Sequence, residues 1–216
     1  MLSVSDLDVS IGPVPIIRKA ALDLAEGEMC GLIGRNGAGK TTLLRALMGA
    51  IPATGKVRLG EVDLLALPPH RRVGFGIGYM PEDRGLVPEL TVEENILVPV
   101  WVNKALETNE RLALVYRVLP ELTEMRERRA LLLSGGQQKM VALARALAVG
   151  TRLLLLDEPF EGVAPALSRR LADVISSLKG RVAVLISQSD LNHSRSLLDA
   201  EFVIERGANV GAAAPA

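Results

Sequence analysis

The chain has 216 residues, 49% of them hydrophobic and 23% charged, which is enough for one domain with a true core. Lys plus Arg and Asp plus Glu number 25 each, so the formal net charge is zero and the composition argues against an electrostatic nucleic-acid binder. Mean hydropathy is +0.27, yet no stretch reaches the roughly 18 uninterrupted apolar residues of a membrane span.

In chain order, Met1-Leu2-Ser3-Val4-Ser5-Asp6 has neither a basic nor an apolar leader segment, so a secretory signal is not expected. Leu2, Val4, Leu7 and Val9 alternate as in a strand, followed by a Gly12-Pro13 turn. Ala20 to Leu24 and Met29 to Ile33 read as strands, and Leu43, Leu44, Leu47 and Met48 recur at helical spacing up to Gly49. The single cysteine, Cys30, lies in an apolar run and reads as a buried thiol in a reducing compartment. Val57 to Leu67 reads as a short strand and turn closed by Pro68-Pro69, and Ile77 to Met80 as a strand ending at Pro81. From Thr91 to about Arg129 the spacing turns helical, and further helices are expected over Gln137 to Val149 and near Leu167 to Leu178. Leu153 to Leu156 and Val182 to Ile186 are apolar enough for fully buried strands, while Gly211 to Ala216 reads as a frayed end. The alternation predicts an α/β chain with a mainly parallel sheet and a helical insertion.

Three motifs carry chemistry. Gly34-Arg35-Asn36-Gly37-Ala38-Gly39-Lys40-Thr41-Thr42 satisfies the P-loop pattern between an apolar strand and an amphipathic helix. Its glycines allow successive N–H groups to wrap phosphate oxygens, and the following helix aims its positive end at the same place. Lys40 would add a full charge against the β- and γ-phosphates, and the Thr41 hydroxyl would ligate Mg²⁺. Leu153 to Leu156 delivers Asp157 and Glu158 at a strand end, the Walker B arrangement, with Asp157 for Mg²⁺ and Glu158 to polarise the attacking water. Alone, two acids after a strand make an ordinary solvated turn. Leu133-Ser134-Gly135-Gly136-Gln137-Gln138 puts a serine cap and two bare glycine N–H groups at a helix start, which is either a plain N-cap or a second phosphate cradle.

P-loop, Ser-Gly-Gly-Gln motif and Walker B in that arrangement resemble the ABC ATPase family from about Leu2 to Gly207. Pro81-Glu82-Asp83-Arg84, Leu90-Thr91-Val92-Glu93-Glu94-Asn95 and Asp157-Glu158-Pro159-Phe160-Glu161-Gly162-Val163-Ala164-Pro165 are similar to the smaller ATPase of branched-chain amino acid importers and to amide and urea importers. The resemblance implies the ABC ATPase fold: a P-loop core with a mainly parallel sheet, an N-terminal antiparallel β portion and an inserted helical subdomain. It implies one domain over 1–216, with the nucleotide-binding core at 1–82 and 150–207, the helical signature subdomain at 83–149 and a tail at 208–216. It also implies ATP hydrolysis, with ATP and Mg²⁺ as cofactors. Glu82 stands where the family at large has a Gln facing Mg²⁺ or water. Gln188 stands at the switch position that is usually His. Ile11 stands where an aromatic usually stacks on adenine, and the family's usual Asp near Val163 to Pro165 is missing. His193 is a possible substitute at the switch, or else a surface residue.

By the same resemblance, two cassettes sandwich two ATP molecules, and Ser134, Gly135, Gly136 and Gln137 act on the nucleotide of the other chain. The partners implied are a second ABC ATPase subunit, identical or paralogous, and separate transmembrane permease subunits contacted between Glu82 and Trp101. Nucleic acid is not expected, and the location implied is the cytoplasmic face of the cell membrane. Uptake of branched-chain or other amino-acid-like solutes is the function expected. The alternative is a soluble ABC ATPase acting on ribosomes or DNA, although such proteins usually carry paired cassettes or long insertions. A GTPase would offer Asn-Lys-x-Asp, and Asn103-Lys104-Ala105-Leu106 lacks the acid. A non-enzymatic module has no use for both Lys40 and Glu158.

Overall fold

The computed structural model describes residues 1–189 and 196–213; His193 lies outside them. β1 (Leu2–Ile11) and β2 (Val14–Leu24) form an antiparallel hairpin turning at Gly12, whose φ of 58° suits glycine. β3 (Met29–Ile33) leads through the glycine loop into α1 (Lys40–Leu47). β4 (Thr54–Leu59) and β5 (Val62–Asp63) complete a four-stranded antiparallel sheet in the order β2-β1-β4-β5. The short α2 (Pro69–Arg72) then precedes β6 (Ile77–Met80).

The helical stretch holds α3 (Val92–Trp101) and α4 (Thr108–Val118), followed by 3₁₀ turns at Pro120–Met125 and Ala130–Leu132. α3 starts at a capping box: the Thr91 hydroxyl accepts the Glu94 N–H, and the Glu94 carboxylate accepts the Thr91 N–H. α5 (Gly135–Val149) follows, then β7 (Leu153–Asp157), α6 (Pro165–Ser176) and β8 (Ala183–Gln188). β9 (Ala200–Glu205) and β10 (Ala208–Ala213) end the described chain. The second sheet runs β10-β9-β3-β8-β7-β6, all parallel except the β10–β9 pair.

The period-two alternation of the buried strands divides the core into two layers. Leu153, Leu155, Ala183 and Leu185 face the antiparallel sheet and α1, whereas Leu154, Leu156, Val184 and Ile186 face α3, α5 and α6. A strand covered on both faces has no solvent side, so its sequence is a continuous apolar run. The structure departs from the sequence reading at the edges. β2 begins six residues earlier than expected, and β9 and β10 were not anticipated. Part of the expected tail, Ala208–Ala213, is paired to β9 instead. β10 is made mainly of small residues, and its pairing with β9 rather than local pattern makes it a strand.

α1 carries the P-loop, and its far end is held by Arg72, which is 4% exposed. The Arg72 guanidinium donates to the Ala46 and Leu47 carbonyls at 3.0 and 2.7 Å and to the Leu67 carbonyl at 3.2 Å. The last carbonyls of the helix thus find a cation. Arg72→Ala should lower the unfolding free energy by about 3 kcal/mol in urea titration, with Arg72→Lys recovering only part of it because the fork is lost. A loss below about 0.5 kcal/mol would show that the cap contributes nothing.

Candidate active site

The turn after β3 is built from glycines because other residues would not fit. Gly37 and Gly39 have φ of 78° and 108°, and a Cβ on Gly34 would run into the Ile204 carbonyl. The Gly34 N–H donates to the Gln188 carbonyl at 3.2 Å, which locks the start of the loop to the end of β8. The loop opens on a cleft of about 410 Å³, whose walls include Asn36, Gly37, Gly39, Thr42 and Ile16. Lys40, Thr41, Glu82 and Glu158 line the same cleft. Residues from four separate stretches therefore meet there.

Parallel pairing of β7 with β8 brings Asp157 opposite Ser187. The Ser187 hydroxyl donates to Asp157 Oδ1 at 2.6 Å and accepts the Glu158 N–H at 3.0 Å. Thr41 Oγ1 lies 3.2 Å from Asp157 Oδ1 and 3.4 Å from Glu82 Oε2. Asp157 Oδ2 is buried without a hydrogen-bond partner. Burial pushes the Asp157 carboxyl above the usual carboxylate range, opposed by the Ser187 and Thr41 hydroxyls and reinforced by the negative Glu82.

The Thr41 hydroxyl thus meets two carboxylates, Asp157 and Glu82, all of them hard oxygen donors, with Asp157 Oδ2 unspent. No group of three or more His, Cys, Asp or Glu that could hold a metal occurs among the described residues. Hydroxyl and carboxylate oxygens are the donor type that Mg²⁺ takes, one or two at a time together with waters and substrate phosphates.

Glu158 sits at φ 46°, a left-handed conformation unusual for a residue with a side chain. Its carboxylate lies 3.1 Å from the Lys40 ammonium, with both side chains less than a tenth exposed. Lys40 also donates to the Gly34 and Arg35 carbonyls at 2.6 and 3.3 Å. Burial raises the Glu158 pKa and the Lys40 charge opposes the rise. A buried acid held beside water-accessible space is chemically suited to take a proton.

Ser134 caps α5, its hydroxyl accepting the Gln137 N–H at 3.3 Å while the Gln137 amide oxygen accepts the Ser134 N–H at 3.0 Å. Ser134 and Gly135 are exposed, and none of Ser134, Gly135, Gly136 or Gln137 lines the cleft. Gln188 is buried at the end of β8 rather than beyond it. Ile11, at the hairpin tip, is 53% exposed and does not line the cleft; Ile16, further along β2, does. The hairpin register pairs Ile11 with Val14 at the outer end of the ribbon, which carries Ile11 away from the loop.

Sequence reasoning missed four supporting side chains. Ser187, a polar residue closing an apolar run, was the one with a visible signal. Lys139, 3% exposed on α5, donates to the Glu161 carbonyl at 2.6 Å, just past Glu158. Burial pulls its pKa down, opposed by Glu161. Arg145, also on α5, donates to the Arg84 and Gly85 carbonyls at 2.6 Å each, and Arg84 donates to Gln138 Oε1 at 2.9 Å. One helix therefore grips both the segment after Glu82 and the turn after Glu158.

The sequence pattern of the ABC transporter family matches residues 17–161. The chain is 34% identical over 209 residues to the high-affinity branched-chain amino acid transport ATP-binding protein BraG of Pseudomonas aeruginosa, covering 96% of this chain and 90% of that one. It is 32% identical over 204 residues to the lipopolysaccharide export system ATP-binding protein LptB of Acidithiobacillus ferridurans, covering 93% and 84%. The crystal structure of a nucleotide-free ATP-binding cassette from an ABC transporter superimposes with a TM-score of 0.87 at 25% identity, covering 100% of this chain and 92% of that one.

A buried carboxylate whose pKa is raised costs stability at every pH above its unfolded pKa of about 3.9, and the cost levels off above the folded pKa. Asp157→Asn should therefore raise the thermal midpoint of the nucleotide-free chain at neutral pH, with the gain vanishing as pH falls below about 4. A lowered midpoint at pH 7 would mean that the bonds to Asp157 Oδ1 outweigh its burial.

Proposed function

Since the chain belongs to the ABC transporter family and is an ATPase of that family, we propose that it is the motor subunit of a membrane transporter, with its cleft binding and hydrolysing MgATP. The observation that carries this reading is the meeting of Lys40, Thr41 and Glu158 at one glycine-walled cleft, with Asp157 buried behind Thr41. The loop N–H groups and the start of α1 receive the phosphates. Lys40 exchanges its contact with Glu158 for β- and γ-phosphate oxygens, which frees the carboxylate. Glu158 then takes a proton from water as that water attacks the γ-phosphorus and ADP leaves. Gln188 orients the water through its amide. Thr41, Asp157 and Glu82 hold Mg²⁺, which when bound neutralises the charge shared by the β- and γ-phosphates.

The exposed start of α5 is the half of the site that a second cassette needs. Two chains face each other so that Ser134, Gly135 and Gly136 of each close over the nucleotide of the other, with the Ser134 hydroxyl and glycine N–H groups as donors. The arrangement of 1–82 with 150–207 as core and 83–149 as moving helical part fits that closure. No helix among the described residues is long and apolar enough to cross a membrane, and on this reading a permease subunit supplies the transmembrane part. Its docking face is α3, where Val98, Trp101 and Val102 are exposed beside a hollow walled by Met48, Tyr79 and Pro99. On this reading the chain works at the cytoplasmic side of the membrane.

For the solute, likeness to BraG supports uptake of branched-chain or similar amino acids. Likeness to LptB supports a second reading, export of lipopolysaccharide. Purification of the intact complex and identification of its permeases separates them; recovery of ribosomes or DNA instead would end the transport reading.

Glu158→Gln should keep ATP binding, reduce turnover by at least about 100-fold and accumulate an ATP-bound dimer on gel filtration. Turnover at the parental rate would remove Glu158 from its role. In the parent, turnover per chain should rise with protein concentration until the dimer saturates, and a rate independent of concentration would remove Ser134 from the partner's site.

A further inference from the structure

α5 carries an ammonium group where its packing calls for an apolar side chain. Lys139 is 3% exposed and begins the stripe that continues through Ala142, Leu143 and Ala146, all of them buried. An ammonium has three donors to satisfy. The partner Lys139 finds among the described residues is the Glu161 carbonyl at 2.6 Å, and no ion pair there involves it. Replacing a buried charge by an apolar side chain of similar volume is often neutral or stabilising. Stability therefore does not explain the lysine.

What Lys139 holds is the turn that places Glu158. The Glu158 N–H donates to the Ser187 hydroxyl at 3.0 Å, and the Glu158 carbonyl accepts the Glu161 N–H at 3.2 Å. The Glu161 carbonyl then closes the series on Lys139. Within this turn Glu158 has a φ of 46°, a conformation that a residue with a side chain keeps only where its surroundings impose it. The chain beyond the turn also lies directly on α5, since a Cβ on Gly136 would meet Leu167 Cδ2 at 2.8 Å. With the Lys139 bond removed, one backbone bond closes the turn and Glu158 can relax toward an ordinary φ, which carries its carboxylate off its line into the cleft. Resting on the reading of Glu158 as the group that takes a proton from the attacking water, we propose that Lys139 is a positioning residue for ATP hydrolysis. Its bond to the Glu161 carbonyl keeps the Glu158 carboxylate aimed at the cleft.

The test compares the parent full chain with Lys139→Met and Lys139→Gln in Mg²⁺, reading kcat for ATP, displacement of a ribose-labelled fluorescent ATP by ATP, and the thermal midpoint. Lys139→Met fills similar space without a donor, so kcat should fall at least about tenfold while the displacement midpoint stays within about twofold. Its thermal midpoint should equal or exceed the parent's, a combination that a merely structural lysine would not give. Lys139→Gln is shorter and uncharged but still a donor, and its kcat should exceed that of Lys139→Met by at least about threefold. A smaller fall in kcat, a lowered thermal midpoint or failure to fold in Lys139→Met, nucleotide binding weakened beyond twofold, or no recovery in Lys139→Gln overturns the inference and leaves the ATPase reading standing. A parent chain without MgATP turnover overturns both.

Discussion

Asp157 and Glu158 are carried into the interior at the end of β7, and the surroundings of the cleft answer the cost of holding two adjacent acids out of water. Lys40 meets Glu158 with a charge, while Ser187 and Thr41 meet Asp157 with hydroxyls. Lys40 and Thr41 come from the start of α1 after β3 and Ser187 from β8, so the acids are tolerable only if β3, β7 and β8 lie in the observed order. Sheet topology and site chemistry are here one constraint. Asp157 Oδ2 has no hydrogen-bond partner, and Lys40 is turned back on its own loop. Both features suit a site that gains its missing contacts from a phosphate chain and a divalent ion.

The second organising element is α5. Its start is exposed and capped, while its body holds Arg145 and Lys139 against the turns that follow Glu82 and Glu158. One helix thus presents donors outward at its start and, through Lys139 and Arg145 of its body, holds the turns that follow Glu158 and Glu82. Burying Lys139 with a carbonyl partner is costly. The contact fixes the turn that begins with the left-handed Glu158.

The glycine loop, the two acids and the Ser-Gly-Gly-Gln start of α5 were legible because their spacing follows from local geometry: tight turns, strand ends and helix caps leave marks within a few residues. Apolar runs such as Leu153 to Leu156 were legible for the same reason, since a strand covered on both faces admits no polar positions. Ile16 and Ile11 show where that legibility stops. Both are isoleucines at one hairpin, and only the register of β1 on β2 decides which faces the cleft. β10 left no comparable mark, because its small residues become a strand only when a neighbour offers its edge, whereas β9 carries the short apolar run Phe202-Val203-Ile204 between charged residues.

By itself, then, the sequence determined that a phosphate cradle, a pair of acids and a capped helix start exist, for these depend on backbone conformations that particular residues permit or forbid. The tertiary structure alone decided that Ser187 supports Asp157, that Arg72 holds the far end of α1, and that Arg145 and Lys139 tie α5 to the turns after Glu82 and Glu158. Those contacts join residues tens of positions apart. Long-range pairing is set by how layers stack and strands order themselves, and no local spacing encodes it.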